Sequence, residues 1–498
     1  MADTVMPAVD DVTTPDGAAR AGSAGRGTVT LAYYGDDFTG STDTLASAVQ
    51  AGWRAALFMR VPSAEDLAAF GPLDCIGIAG TSRAQSPAQM DETLPAIFRG
   101  LAATGAPFIQ YKTCSTFDSA AHIGNIAHAM AIARRVLGST PALIVGGQPS
   151  LGRYCAFATL YARAGHDAAI YRIDRHPTMS RHPVTPMLEP DLRQHFAALG
   201  APGVVSFDTL QLDHADDAAR RAGFETMVAA GPPAVLFDAM STAHLARIGT
   251  LLRQRARAVS GPQLLVGPTG VLQALTLSDE GEPRPAPSNA ASPPPAGSAP
   301  NRASLPPGRP TATPGTSAAS SPDPVDQTFI ISGSRSPITA AQIDAAEAAG
   351  FVSLAIDAQA MVSQANWYID VLAETIAQSL GAGLSVIAHS TLSDGSQSRQ
   401  PGFTETLARG CGQLMRQVLA RHPLRRVGFA GGDTSSIAVA SWHIQALTYA
   451  FSLSPGVAVC RIHAPASPLD GVELMLKGGQ MGPPDVFAAL LGDARACA

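Results

Sequence analysis

Short apolar runs alternate with Ala-rich stretches along most of this chain, and the alternation predicts strands and helices in turn. In the first half the runs are TVTLAYYG, AALFM, CIGIAG, FIQYK and ALIVGG, with helices predicted over Ser41 to Ala51 and His122 to Leu137. In the second half they are TFIISGS, VSLAI, LSVIA, VGFAGG and GVAVCRI. Runs this apolar suit strands buried on both faces, and the helices between them supply the crossovers that parallel strands need. Each half is therefore expected to be α/β, giving two α/β domains with largely parallel sheets. No internal repeat at a solenoid period is visible.

The pattern stops between Glu280 and Asp326, where EGEPRPAPSNAASPPPAGSAP and the following residues contain no aromatic side chain and almost no branched aliphatic one. Such a segment cannot bury enough apolar surface to offset its ordering entropy. The chain is accordingly divided into a disordered tail (1–27), a first domain (28–279), a Pro/Ala/Ser-rich flexible linker (280–326) and a second domain (327–498).

Composition narrows the function classes. Of 498 residues, 46% are hydrophobic and 15% charged, which describes a globular protein with large cores. A formal net charge of -6 gives no overall basic footprint, so no nucleic-acid partner is expected. No apolar run approaches a membrane span, and residues 1–27 lack the apolar stretch of a secretory signal. Six scattered cysteines without a CxxC pair are expected to be reduced thiols. A cytoplasmic protein without a membrane partner, forming a possible homo-oligomer, is the resulting expectation.

Lysine usage points to the chemistry. Among 34 basic residues only two are lysines, Lys112 and Lys477. A compact ammonium and a planar guanidinium are not interchangeable where one anion must be neutralised at one point, so both lysines are candidate chemical groups.

The motifs lie at predicted strand ends, where open α/β sheets bind ligands. LAYYGDDFTGSTDTL presents Asp36 and Asp37, then a Thr39-Gly40 turn and a helix expected to be capped by Ser41 or Thr42. Asp43 is read as dipole compensation or capping for that helix. Either of the paired carboxylates could accept a proton from a substrate hydroxyl or hold it in place. Lys112 ends FIQYK and precedes TCSTFDS, where a cation beside Ser115 and other hydroxyls can hold a carboxylate and sugar hydroxyls together. Arg153, then Arg181 and His182 in SRHPVTPM, extend this polar set.

The second half offers glycines and hydroxyls instead. RRVGFAGGDTSS runs from a strand through Gly431 and Gly432 to Asp433, Thr434 and Ser435 at a helix start, a cradle for phosphate oxygens. Ser332, Gly333 and Ser334 repeat the arrangement, and Gly478, Gly479 and Gly482 follow Lys477. Three such turns in one lobe suggest a nucleotide. There is no GxxxxGK[ST] element and no protein-kinase signature set, yet phosphoryl transfer requires neither. A phosphatase, a dehydrogenase and a non-enzymatic sugar-acid-binding or effector protein remain as rivals. The absence of GxGxxG weakens the dehydrogenase.

Taken in order, YYGDDFTGSTDTL, YKTCSTFDSAAHIGNI, HPVTPM, ISGSRSPITAAQI, AGGDTSS and LKGGQMGPPDVF resemble the four-carbon acid sugar kinase family. The resemblance spans both halves. YKTCSTFDS and HPVTPM are similar to the branch acting on 3-oxo-tetronates, whereas VGGQPSLGRYCAFATL departs from the family's pattern. It implies a sugar-acid-binding domain followed by a nucleotide-binding domain, and ATP-dependent phosphorylation of a tetronate, with D-threonate and D-erythronate as alternative acceptors. Asp36, Asp37, Lys112 and Arg153 would then serve the acid. Ser334, Gly431 to Ser435 and Gly479 would serve ATP, with Mg2+ held mainly by phosphates and water.

Overall fold

The structure is a computed structural model and describes residues 29–138, 141–164, 169–182, 184–277, 323–333, 336–391 and 402–492. The expected tail, and the expected linker apart from residues 323–326, lie outside the described residues.

The described residues are α/β and largely parallel, as the strand pattern predicts, and the strands of the two halves join in one continuous sheet of fifteen. Its order is Val352–Asp357, Val386–Thr391, Phe329–Ser332, Arg426–Ala430, Glu473–Lys477, Val457–His463, Ala446–Ser454, Ala55–Phe58, Cys75–Ala79, Leu31–Gly35, Phe108–Lys112, Gln263–Gly267, Ala142–Val145, Ala234–Phe237 and Val205–Phe207. The first five run parallel to one another, and so do the last eight. The central strands read as largely apolar runs because helices cover both faces; LAYYG and FIQYK are buried at every position.

The junction is a long hairpin, Ala446–Ser454 with Val457–His463, whose outer edge pairs Ala446 with Phe58 and Leu447 with Leu57. Three successive antiparallel pairings reverse strand direction between the halves. In a flat sheet their carboxyl ends would therefore point opposite ways. They meet instead, since the Phe38 amide donates to Ser436 Oγ at 3.0 Å, a bond across both halves. Register shifts at Tyr449/Phe451 and Ser452/Ser454 supply the extra twist that folds the sheet over at this hairpin. One hydrophobic cluster runs through both halves, joining Tyr33, Phe38 and Leu45 to Phe329, Ile462 and Leu476.

The opposite ends of the strands serve stability. Arg426 and Glu473, paired in register, form a buried ion pair, with Nε to Oε2 at 2.8 Å, while Arg426 Nη1 donates to Leu490 O at 2.7 Å. Removing Glu473 would strand the buried Arg426 charge, at a cost of about 3–5 kcal/mol. A three-stranded antiparallel sheet, Arg153–Ala156, Thr159–Arg163 and Ile170–Arg172, flanks the first half.

Candidate active site

Three neighbouring strand tips of the first half converge. Leu31–Gly35 delivers Asp36 and Asp37, Phe108–Lys112 delivers its own last residue, and Cys75–Ala79 leads into the single turn Ser82–Ala84 that carries Arg83. The Arg83 guanidinium bridges both carboxylates, Nη2 to Asp36 Oδ1 at 3.0 Å and Nη1 to Asp37 Oδ2 at 2.9 Å. Nothing in the sequence reading singled out Arg83. Its signal was the same as that of the aspartates, a polar turn (GTSR) at the end of a buried strand.

Asp37, rather than Ser41 or Thr42, caps the helix Phe38–Gln50. Its Oδ1 accepts from the Gly40 amide at 2.9 Å and its Oδ2 from the Thr39 hydroxyl at 2.6 Å. Ser41 lies inside the first turn and donates to Asp37 O. The two adjacent carboxylates are driven apart. Burial pushes Asp36 up to about 6, only partly opposed by Arg83. For Asp37 burial also acts upward, but Arg83, Lys112, the Thr39 hydroxyl and the Gly40 amide outweigh it and hold the carboxyl below its ordinary range.

The Lys112 side chain is buried over Gly40, where an added Cβ would overlap the ammonium and stand 2.6 Å from Asp37 Oδ1. Among the described residues no hydrogen bond or ion pair engages its Nζ. Glycine at position 40 leaves the space the ammonium occupies, close enough to Asp37 to favour its charged form but beyond ion-pair distance.

A cavity of about 220 Å³ opens here between the halves. Asp37, Gly40, Lys112, Ser115, Arg153 and His182 line it from the first half, and Gly432, Gly478 and Gly479 from the second. Arg153 lacks a carboxylate partner among the described residues; Nη1 donates to Leu151 O at 2.7 Å and Nε is buried without a bond. Burial pulls its pKa down. His182 Nδ1 accepts from the Thr185 amide at 3.1 Å. Thr185 Oγ1 in turn meets Asp118, which also accepts from Thr116. Arg181, although next in sequence, is exposed and does not line the cavity. Asp36 sits behind Asp37 and does not line it either.

On the facing side, Arg426–Ala430 ends at Gly431, whose φ of 118° is strained for any side chain, and the helix Gly432–Ala440 begins at once. An added Cβ at Gly432 would stand 3.4 Å from Asp37 Oδ2, so the helix start abuts the carboxylate of the other half. Ser435 and Ser436 donate back to Gly432 O, at 2.9 and 2.7 Å. Thr434 packs against Gly333, where a Cβ would overlap its hydroxyl. The Gly478-Gly479 loop is fastened by Thr339, which donates to Gly479 O at 2.8 Å. Ser332 Oγ, at a neighbouring strand end, is buried without a partner among the described residues. Ser334 and the side chain of Asp433 fall outside the described residues.

Lys477 behaves unlike Lys112. It is fully buried, donates to Gly478 O at 3.0 Å and Met481 O at 3.1 Å, and does not line the cavity. Burial pulls its pKa down to about 7.

A charged pocket facing a glycine-rich helix start across a shared cavity is the layout of a two-domain small-molecule kinase. Residues 31–275 match the sugar-binding N-terminal domain and residues 329–487 the nucleotide-binding C-terminal domain of one such group. A Paraburkholderia graminis protein named 3-oxo-isoapionate kinase is 36% identical over 473 residues, covering 92% of this chain and 93% of that one. Proteins named 3-oxo-tetronate kinase are 27% identical in Brucella melitensis and 28% in Pseudomonas fluorescens, covering 91% and 93% of this chain and 93% and 96% of theirs. A solved Salmonella typhimurium LT2 structure carrying a tRNA-synthase label matches with a TM-score of 0.68 at 22% identity, covering 92% of this chain and 98% of that one. That likeness concerns the fold alone. The chain belongs to the four-carbon acid sugar kinase family.

Proposed function

We propose that this protein transfers the γ-phosphoryl group of ATP to the terminal hydroxyl of a four-carbon sugar acid, with a 3-oxo-tetronate as the acceptor phosphorylated at its 4-hydroxyl. The observation that carries the reading is the abutment of Gly432 on Asp37, which sets a helix start suited to phosphates against a carboxylate suited to a hydroxyl. Lys112 and the unpaired Arg153 take the carboxylate of the acid, and Ser115 and His182 take its oxygens. Asp37 accepts a hydrogen bond from the acceptor hydroxyl and aims it at the phosphorus. Its lowered pKa makes it a weak base, which suits a loose transition state in which the nucleophile need not lose its proton early.

The amides at Gly431 to Ser435 and the Gly478-Gly479 loop hold the phosphates. No cluster of three or more His, Cys, Asp or Glu suited to a metal occurs among the described residues. The donor set therefore fits a Mg2+ carried on the nucleotide phosphates and water, where it would neutralise phosphate charge.

A specific observation favours a second acceptor. The 36% identical relative is named for 3-oxo-isoapionate, another 3-oxo acid, while the tetronate-named relatives quoted stand at 27% and 28%. ADP formation with 3-oxo-tetronate, 3-oxo-isoapionate, D-threonate and D-erythronate separates the readings. Acid-dependent ADP release supports the kinase, whereas acid binding without turnover supports a sugar-acid sensor and sinks the proposal.

A further inference from the structure

Asp43 has a role in the cavity that helix capping does not explain. It lies within the helix Phe38–Gln50, past the first turn, and lines the cavity together with Gly40 three residues earlier. Its Oδ2 is saturated from two other strand ends: Gln148 Nε2 donates at 3.0 Å and Thr269 Oγ1 at 2.5 Å. The Thr269 hydroxyl is also 3.0 Å from the Thr44 hydroxyl, so the anchor is itself braced. Gln148 and Thr269 are both buried. No partner of Oδ1 occurs among the described residues. One oxygen is thus clamped while the other remains for a ligand.

Position gives this oxygen a meaning. About one helical turn, roughly 5 Å, separates Asp43 from Gly40, at whose amide the Asp37 carboxylate is fastened. The Lys112 ammonium lies over Gly40 on the Asp37 side, and it lines the same cavity as Asp43. An acid whose carboxylate rests on that ammonium, and whose terminal hydroxyl rests on Asp37, cannot set a second anionic group beside Asp43. What an anionic oxygen accepts there is an O–H.

We infer that Asp43 reads a second hydroxyl of the acid, the one on the carbon bearing the carboxylate, and so restricts the substrate to 2-hydroxy acids. The inference rests on the kinase reading above and adds a specificity residue to it. A site built to accept from a hydroxyl discriminates strongly against the analogue that lacks it, because the site's own polar group is then left unpaired.

The test is a cycle of two acids and two enzymes. Full-length wild type and Asp43→Asn are assayed for ADP formation with the best acid of the panel and with its 2-deoxy counterpart. Wild type should prefer the 2-hydroxy acid by about 100-fold or more in kcat/KM, and Asp43→Asn should cut that preference to about 5-fold or less. Asparagine retains an oxygen for Gln148 and Thr269, so the fold should survive; nucleotide binding and the thermal midpoint check this. Should Asp43→Asn not fold, Thr269→Val, which removes one anchor, should lower the preference while Thr269→Ser keeps it. A purely structural Asp43 would depress both acids alike, and an unchanged preference overturns the inference while the kinase reading stands. Failure of wild type to phosphorylate any acid overturns both.

Discussion

Lys112 and Lys477 occupy matching places in the two halves and do different work. Each ends a strand beside the one that feeds a cavity-facing helix: Gly35 pairs in register with Lys112, and Ala430 with Lys477. The backbone repeats as well, since Asp36 N donates to Lys112 O at 3.0 Å and Gly431 N to Lys477 O at 2.8 Å. In the first half the next residues are aspartates, and the ammonium turns toward them and the cavity. In the second half the next residues are glycines, and the ammonium turns inward to carbonyls of its own loop. One strand-tip scaffold therefore presents side-chain charge to the cavity on one side and glycine backbone on the other. That division suits a carboxylate-bearing acid facing a nucleotide.

The largest effect should come from the residue where the two sites touch. Asp37→Asn leaves the cap geometry nearly intact but removes the charge beside the acceptor hydroxyl. Turnover should fall about 1000-fold while nucleotide affinity stays within about 3-fold. Turnover close to wild type would remove Asp37 from the reaction.

Next, the two lysines should separate. Lys112→Met should raise the KM for the acid about 100-fold, because a bound carboxylate loses its nearest cation. Lys477→Met should leave the acid KM within about 3-fold, since a buried charge replaced by an apolar side chain of similar length is often tolerated. Steady-state kinetics on both variants decide the matter. An equal rise in acid KM would dissolve the contrast between the lysines.

How much of this was legible beforehand differs by region. The tips bearing Asp36, Asp37, Lys112 and Gly431 were readable because each closes a short, mostly apolar run ended by a turn. The joining strand Ala446–Ser454 was not, because ALTYAFSLS is half-buried along most of its length and follows neither a continuous nor a cleanly alternating pattern. Without it, the halves looked like separate sheets on a tether. Short buried strands such as Ala234–Phe237 are too brief for periodicity to distinguish them from helix. Asp43 read as a cap because its cavity role depends on Gln148 and Thr269, which lie 105 and 226 residues away. Arg83 was hidden for the same reason, being 46 residues from Asp37.

Two glycines offer a sharper version of the contrast. Gly40→Ala places a methyl on the Lys112 ammonium and against Asp37, so the acid KM should rise about 30-fold with nucleotide affinity unchanged. Gly333→Ala places one on the Thr434 hydroxyl and should do the reverse, raising the ATP KM about 10-fold. Isothermal titration with each ligand alone reads the split. If either variant weakens both ligands equally, the two sites are not divided between the halves as proposed.

The smallest effect is on stability, and its sign differs between the halves. Asp36 has its folded pKa raised to about 6 by burial, with Arg83, Asp37 and Lys112 as the charges facing it. The folded state therefore holds this proton more tightly than the unfolded chain. The resulting stability is fully present below the ordinary carboxylate pKa and is lost as pH rises through about 6. Lys477 is the converse, its folded pKa pulled down to about 7. Here the unfolded chain holds the proton more tightly, so stability rises as pH climbs from about 7 toward the ordinary lysine value. Thermal midpoints of wild type, Asp36→Asn and Lys477→Met, taken across pH, should display both signs. Between pH 4 and 7 wild type should lose a few degrees relative to Asp36→Asn, and above pH 7 it should gain a few degrees relative to Lys477→Met. Parallel curves for wild type and Asp36→Asn would mean that the Arg83 bridge keeps Asp36 ionised throughout. The charged site would then hold two permanent carboxylates rather than one.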